Sequence, residues 1–591
     1  MTRAARSKVS VAILIALGIV TGLIGGYHLT QGFTPSFMYR KLGPDSWSHA
    51  TNHQAPPHIL TSYVPDEELD LDSLRGIAAK TNGFYARDYS LWLGWNNMRY
   101  IIEASLMHAQ VLNRTVLIPS FVYARACEYD NAVCADYASM INKGDATSHS
   151  DWRGLPVNER MAWKIPITLM FNLTHLRHTH SVMLISEYLR LQGLSPQDES
   201  SDGQWSSSKY HTKGALGNMY PSLYEIENNK FDPTGTNRVD LLTAGMKSRG
   251  QWCPPGRHED DCEHEGWKDS MKSPLCLSLE AVLPASKRIL DWDAVRKVLQ
   301  ENGDHAWDIS TDEGMEEVLQ ENGWEVLYTY EGAIGQEMVQ DVAIPIRQAA
   351  PRHSLRGFHD DYAHLKAEVI LLKGEVHATR KPGSMRFTTM HGREKYTNLV
   401  LHEMRTPDNV FELAAILDER MRSITGGRVW VGAHMRRGDF ARLRWAMETD
   451  FRKHFERIKR HLAEGRGIVR SLHCGKPTTY NIPNVTVDMS IQQFDPPRDD
   501  DKYYIATDER NQGNLAYLRE QGAVLVSDLL TMEDRRRFGW QLMLTDILGL
   551  VEQATLARGS YFYAHAMSSV AGGVMNLRAA RGADPHTALL D

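Results

Sequence analysis

The chain has 591 residues, of which 42% are hydrophobic and 24% charged. That composition excludes a collagen, a coiled-coil array or a chain disordered throughout, and at ~150 residues per domain the length asks for more than one domain. With 66 basic and 73 acidic residues the formal net charge is −7, so no basic footprint for nucleic acid is present.

Arg3, Arg6 and Lys8 precede an apolar run from Val9 to Gly26 that only Ser10 and Thr21 soften. A bilayer helix needs ~17–25 such residues. Residues 1–8 are therefore expected as a cytosolic tail and 9–27 as a transmembrane signal anchor. Basic residues before the run put the body in the lumen, as a single-pass type II protein of the ER or Golgi membrane. A cleavable signal peptide is the competing reading, and it also sends the body into the secretory pathway. Sequons at Asn113, Asn172 and Asn484 fit that compartment. A chain this long carries one or two by chance. Cysteines in an oxidising lumen are disulfide candidates, and Cys127 and Cys134 are close enough to close a local loop. Residues 28–80 hold Pro44, Pro56, Pro57 and Pro65 and read as a stem.

From about residue 81 the pattern turns globular. Gly94-Trp95-Asn96-Asn97 opens a helix whose buried face is Met98, Ile101, Ile102, Leu106, Ala109 and Val111. Asn113 closes it, and Thr115 to Pro119 reads as a buried strand. Residues 140–280 read as long insertions. The hexapeptide VLQENG occurs at 298–303 and at 318–323, which predicts two helices each ending at Asn-Gly.

The last third alternates most clearly. Strands are expected at 428–433, 502–506, 523–526 and 560–564. Helices are expected at about 449–463, 511–521, 540–558 and from Ser569. Alternation of this kind predicts a parallel sheet covered by helices, with ligands bound beyond the carboxyl ends of the strands. Those ends carry His434, Arg436, Arg437 and Asp439, then Thr507, Asp508 and Glu509, then His565, Ser568 and Ser569. Period-two alternation sets His434 and Arg436 on one face, which makes Arg436 the ligand-facing arginine. Arg437 is left to pair with Asp439 or another carboxylate. A guanidinium matches phosphate oxygens in pairs, and a helix starting at Ser568-Ser569 offers backbone N–H groups to an anion. Together these suit a nucleotide diphosphate. There is no G-x-x-x-x-G-K-[ST], no G-x-G-x-x-G after a strand and no G-x-S-x-G elbow. Asp499-Asp500-Asp501 lies before a strand and reads as an acidic loop. The run His258–His264 lacks the paired spacing of a zinc site.

Three segments resemble the GDP-fucose protein O-fucosyltransferase family. They are Gly94–Arg99 with Leu112–Pro119; His434-Met435-Arg436-Arg437-Gly438-Asp439-Phe440; and Tyr504–Glu509 with Tyr561, Phe562, Ser568 and Ser569. The resemblance implies an α/β fold of two Rossmann-like domains in the GT-B glycosyltransferase architecture. The domains would span residues 81–400, with insertions, and 401–591. It implies GDP-fucose as donor substrate, inversion, and no metal or other cofactor. Arg436 would be the essential arginine on the diphosphate, and Asn96 would act near the fucose. Gly94, Trp95, Asn97, His434, Asp508, Ser568 and Ser569 would complete the donor site. The acceptor would be a protein Ser or Thr hydroxyl or a glycan. One departure stands out: some members carry a glutamate where this chain has Leu93, so the base is not assigned. Another nucleotide sugar, or a non-catalytic membrane-anchored binding protein of the same fold, are the alternatives.

Overall fold

The computed structural model describes residues 68–212, 221–232, 234–241, 273–303, 307–330, 342–374, 385–443 and 446–591. The expected tail and anchor, most of the stem and the His258–His264 run lie outside the described residues. Among the described residues no helix is long and apolar enough to cross a membrane. The stem reading ends early, because Leu71–Ala78 is a helix capped by Asp70. Its Leu74 is buried with Tyr188 and Leu189 in the body.

Two parallel sheets organise the body. The first holds β1 (Phe84–Arg87), β2 (Thr115–Ile118), β3 (Val182–Leu184), β4 (Leu223–Glu227) and β5 (Val369–Lys373) in the order 3-2-1-5-4. The second holds β6 (Val431–Met435), β7 (Tyr503–Thr507), β8 (Ala523–Val524), β9 (Tyr561–Ala564) and β10 (Ala588–Leu590) in the order 8-7-6-9-10. In the second sheet the chain starts at the centre, runs out to β8, then returns to β9 on the other side. The direction of winding reverses between β6 and β9, and such a reversal opens a crevice at the carboxyl edge.

Helix α1 (Trp95–Val111) follows β1 and is buried over most of its circumference, including Glu103, Ser105 and His108. It packs on the first sheet and also on α5 (Ser569–Ala580), so a one-sided apolar stripe understates its burial. Helices α2 (Asp408–Ile424) and α4 (Thr545–Leu556) pack together beneath the second sheet. Helix α3 (Phe451–Cys474) covers the opposite face and runs well past the expected end at 463. Phe455, Ile458, Leu462, Gly465 and Val469 continue the buried stripe at helical spacing. Gly465 fits there because Tyr561 takes the side chain's place: a Cβ would stand 2.2 Å from its ring. Gly465→Ala is therefore expected to destabilise the protein by ~1–3 kcal/mol, although alanine is the better helix former. Chemical denaturation checks this.

Two antiparallel additions flank the sheets. In one, Met161–Pro166 lies between Phe121–Ala124 and Ser139–Asn142. In the other, Ile346–Pro351 lies between Leu290–Asp291 and Trp324–Thr329. The helices Trp292–Glu301 and Asp312–Glu321 cover the second addition, each ending at the Asn-Gly of its VLQENG copy. Cys127 and Cys134 form a disulfide, with Cα atoms 6.2 Å apart.

Candidate functional site

The strand β6 extends two residues beyond its expected end, so His434 and Met435 lie within it. Alternation holds: Met435 joins the core facing α3, and His434 is buried on the other face. Burial, then the nearby charge of Arg436, pushes the His434 imidazole down to about 3, so it is neutral across the physiological range.

The two arginines divide their work differently from expectation. Arg436 takes Asp439, with Nη2 donating at 2.5 Å, and Arg436 Nη1 also pairs with Asp508. Arg437 pairs with no carboxylate among the described residues; its guanidinium donates to the backbone carbonyls of Glu448 and Thr449 at 2.8 and 3.1 Å. The turn after β6 explains the swap. Asp508, at the end of β7, accepts from the backbone N–H of Arg437 at 2.7 Å and of Gly438 at 3.1 Å. A Cβ on Gly438 would meet the Asp508 carboxylate at 2.2 Å, so only glycine allows this approach. Asp508 therefore anchors the arginine turn. Gly438→Ala is expected to reduce donor affinity about tenfold or more, because it pushes Asp508 off Arg436. Calorimetry with GDP tests this.

Ser568 caps α5 without a side-chain hydrogen bond to the helix, and its Oγ lies 3.5 Å from His434 Nδ1. The helix N-terminus at Ser569 thus opens beside a neutral imidazole and the Arg436 turn. The partial positive charge of such a terminus favours an anion. The carbonyl of Ser569 accepts from Tyr100 of α1 at 3.3 Å. Gln553 of α4 donates to Asn96 Oδ1 at 2.9 Å and to the carbonyl of Val570 at 3.1 Å. These bonds bring Asn96, from the first turn of α1, to the start of α5. Gly94 is the N-cap of α1, with no side chain to satisfy the helix N–H groups. Asn97 is half-buried and makes no side-chain hydrogen bond among the described residues. The Trp95 indole, expected at the donor, is buried and stacked on Phe171, with centroids 6.1 Å apart. A donor contact from Trp95 would come from its backbone.

The sequence reading missed Arg125. It follows the strand Phe121–Ala124, and its Nη1 stands 3.2 Å from where a Gly94 side chain would begin. Its guanidinium also feels the charges of Asp439, Arg436 and Asp508. The signal available was an arginine directly after an apolar strand, the same pattern that drew attention to Arg436.

Glu552 is a second missed group. Burial, then the charges of Glu128 and Asp508, pushes its carboxyl up to about 8, against a weak bond from the Tyr504 hydroxyl at 3.4 Å. A carboxyl raised in the folded state loses its proton later than in the unfolded state. Stability therefore falls as pH rises from the unfolded value of 4.5 through about 8. Glu552→Gln is expected to add ~1–3 kcal/mol at pH 9 and little at pH 4, flattening that slope. Denaturation at the two pH values decides.

Among the described residues no group of three or more His, Cys, Asp or Glu side chains is placed to hold a metal ion. Within the acidic loop, Asp501 is buried against Arg428 and Asp499 pairs with Arg470 at 2.8 Å, so only part of it is a solvated loop.

No family model matches the chain, and no curated protein matches it. Among solved structures, POFUT1 in complex with GDP-fucose aligns at 9% identity over 86% of this chain and 98% of that chain, with a TM-score of 0.30. POFUT1 in complex with GDP aligns at 10% identity over the same shares, also at 0.30. At that TM-score the likeness carries no argument about fold or activity.

Proposed function

We propose that the chain is an inverting, metal-independent glycosyltransferase that moves fucose from GDP-fucose to a protein Ser or Thr hydroxyl or to a glycan. The observation that carries this reading is the joint placement of Arg436, His434, Ser568 and Ser569 at the β6/β9 reversal, with Asn96 beside them. The motif resemblance supports the choice of donor. In the proposed reaction the acceptor oxygen attacks the anomeric carbon from the face opposite GDP. The bond to the β-phosphate oxygen breaks, its electron pair leaves with GDP, and the acceptor proton is released. Arg436 and the N–H groups opening α5 would hold the growing charge on GDP, and fixed donors of that kind often supply the largest share of rate enhancement. Asn96, held by Gln553, would position the sugar. A type II anchor at residues 9–27 would place this chemistry in the ER or Golgi lumen.

A second reading, a binding protein without turnover, is favoured by Leu93. That side chain is 5% exposed in the core and offers no proton acceptor. Calorimetry of the luminal body with GDP-fucose in EDTA, with GDP-mannose and UDP-sugars as controls, tests the donor. Selective GDP-fucose binding supports the first part of the reading. Slow release of GDP on incubation, detected by chromatography, separates a transferase from a binding protein. No binding of any sugar nucleotide removes both the donor and the transfer.

A further inference from the structure

The donor reading leaves an electrostatic gap. Arg436 carries one positive charge and already pairs with two carboxylates, Asp439 and Asp508. Those three groups together sum to a net negative charge, which repels a diphosphate unless other cations stand close by. Two basic side chains near the site hold no acceptor. The Nζ of Lys143 is fully buried and has no hydrogen-bond partner among the described residues. The guanidinium of Arg125 makes no hydrogen bond or ion pair among the described residues. A buried amine without a hydrogen-bond acceptor is costly even against an aromatic face, which makes Lys143 unusual for a purely structural element, and the half-buried Arg125 beside it shares that lack.

Their placement follows from the small antiparallel sheet. Phe121–Ala124 and Ser139–Asn142 both run antiparallel to Met161–Pro166, so they run parallel to each other. Ala124 pairs with Trp163 and Asn142 with Met161, and both strands therefore end at the same edge. Arg125 and Lys143 are the next residues. Both rest on the Trp152 ring, with Arg125 Cζ 5.0 Å and Lys143 Nζ 4.3 Å from its centroid. Asp546 feels both charges, but its carboxylate accepts the backbone N–H of Arg125 at 2.6 Å and so fixes the strand end, forming no ion pair with either side chain among the described residues. On the other side, the missing side chain of Gly94 lets Arg125 reach the uncapped N-terminus of α1.

We propose that Arg125, backed by Lys143 and by the N-terminus of α1, is a second phosphate subsite that engages the diphosphate of the nucleotide sugar from the side opposite α5. This rests on the nucleotide-sugar reading above. Arg125 makes the direct contact, through the two-pronged geometry that guanidinium offers to phosphate. Lys143, behind it on Trp152, adds charge when the anion arrives. Burial and the neighbouring Arg125 hold its amine well below the usual lysine range.

Calorimetry with GDP and GMP on the wild type, Arg125→Gln and Lys143→Met tests this, with melting curves for each variant. The wild type is expected to prefer GDP. Arg125→Gln should shrink the GDP-to-GMP preference about tenfold or more, the effect of losing one charge-assisted contact to the second phosphate. Lys143→Met keeps the volume and removes a partnerless amine, so it should weaken GDP without lowering the melting temperature. It therefore carries the test even if Arg125→Gln folds poorly. A wild type that binds GDP while Lys143→Met, and any folded Arg125→Gln, keep its GDP-to-GMP preference within twofold overturns the subsite and leaves the donor reading standing. A wild type that binds neither nucleotide removes the donor reading and the subsite with it.

Discussion

Arg436→Ala is expected to lower kcat/KM for GDP-fucose by about 10²–10³-fold, the usual loss when one donor to a developing oxyanion is removed. Its geometry makes the loss steeper than simple truncation. Arg436 stands between Asp439 and Asp508, and without it two carboxylates face the incoming diphosphate unscreened. The change in fold stability should be small, about 1 kcal/mol, because the side chain is 21% exposed and partly solvated ion pairs contribute little. Asp508 also keeps its two backbone bonds to Arg437 and Gly438, so the turn should survive. Arg436→Lys should not restore the rate, since one ammonium cannot serve two carboxylates and a phosphate with fixed forked geometry. Initial-rate kinetics and a melting curve on the same preparations test both halves. Full activity in Arg436→Ala would sink the assignment of this arginine and, with it, the placement of the donor.

The strand ends were legible because apolar runs and helical stripes alternate cleanly after residue 428. β6, β7 and β9 each fall within a few residues of expectation, and the polar residues that follow them meet at one edge. What was not legible depends on three-dimensional turns. The sequence places Arg437 nearer to Asp439, yet the backbone folds back at Gly438 and Asp439 meets Arg436. Arg125 was passed over because its strand belongs to a small antiparallel sheet far from β6 in sequence. Trp95 was placed at the donor by the motif resemblance, but α1 is covered on several sides and its indole is drawn into the core. Helix α3 runs past its expected end because Gly465 lies within it, where the Tyr561 ring fills the space the glycine leaves. At Gly438 and Gly465 a partner distant in sequence, Asp508 and Tyr561, takes the place of a side chain, which no local pattern shows.

The largest stability effect is expected at Glu103→Ala, in the helix that carries Asn96. The Glu103 side chain is 2% exposed and accepts from Arg99 Nε at 2.7 Å, one turn back along α1. Arg99 in turn donates to the carbonyls of Val400 and Met404 at 3.0 and 2.8 Å, tying α1 to the segment before α2. Truncating Glu103 leaves a guanidinium that is 15% exposed without its counter-charge, and the loss should be ~3–5 kcal/mol. Replacing both partners, Arg99→Met with Glu103→Leu, should recover most of it, because two fitted apolar side chains avoid the desolvation of a buried pair. The carboxyl also titrates. Burial pushes Glu103 up and Arg99 pulls it back, leaving it above its ordinary 4.5. The unfolded chain thus loses this proton first, and stability falls as pH rises from 4.5 through the raised value. The double variant lacks that carboxyl and should lose this part of the slope, which urea denaturation between pH 5 and 8 will show. Donor affinity should follow a different order from stability. Asn96 is held by Gln553 from α4 and not by Arg99, so the double variant should bind GDP nearly as the wild type does. Strong GDP loss in a stably folded double variant would mean that the Arg99–Glu103 pair sets the position of α1 in the site as well as its stability.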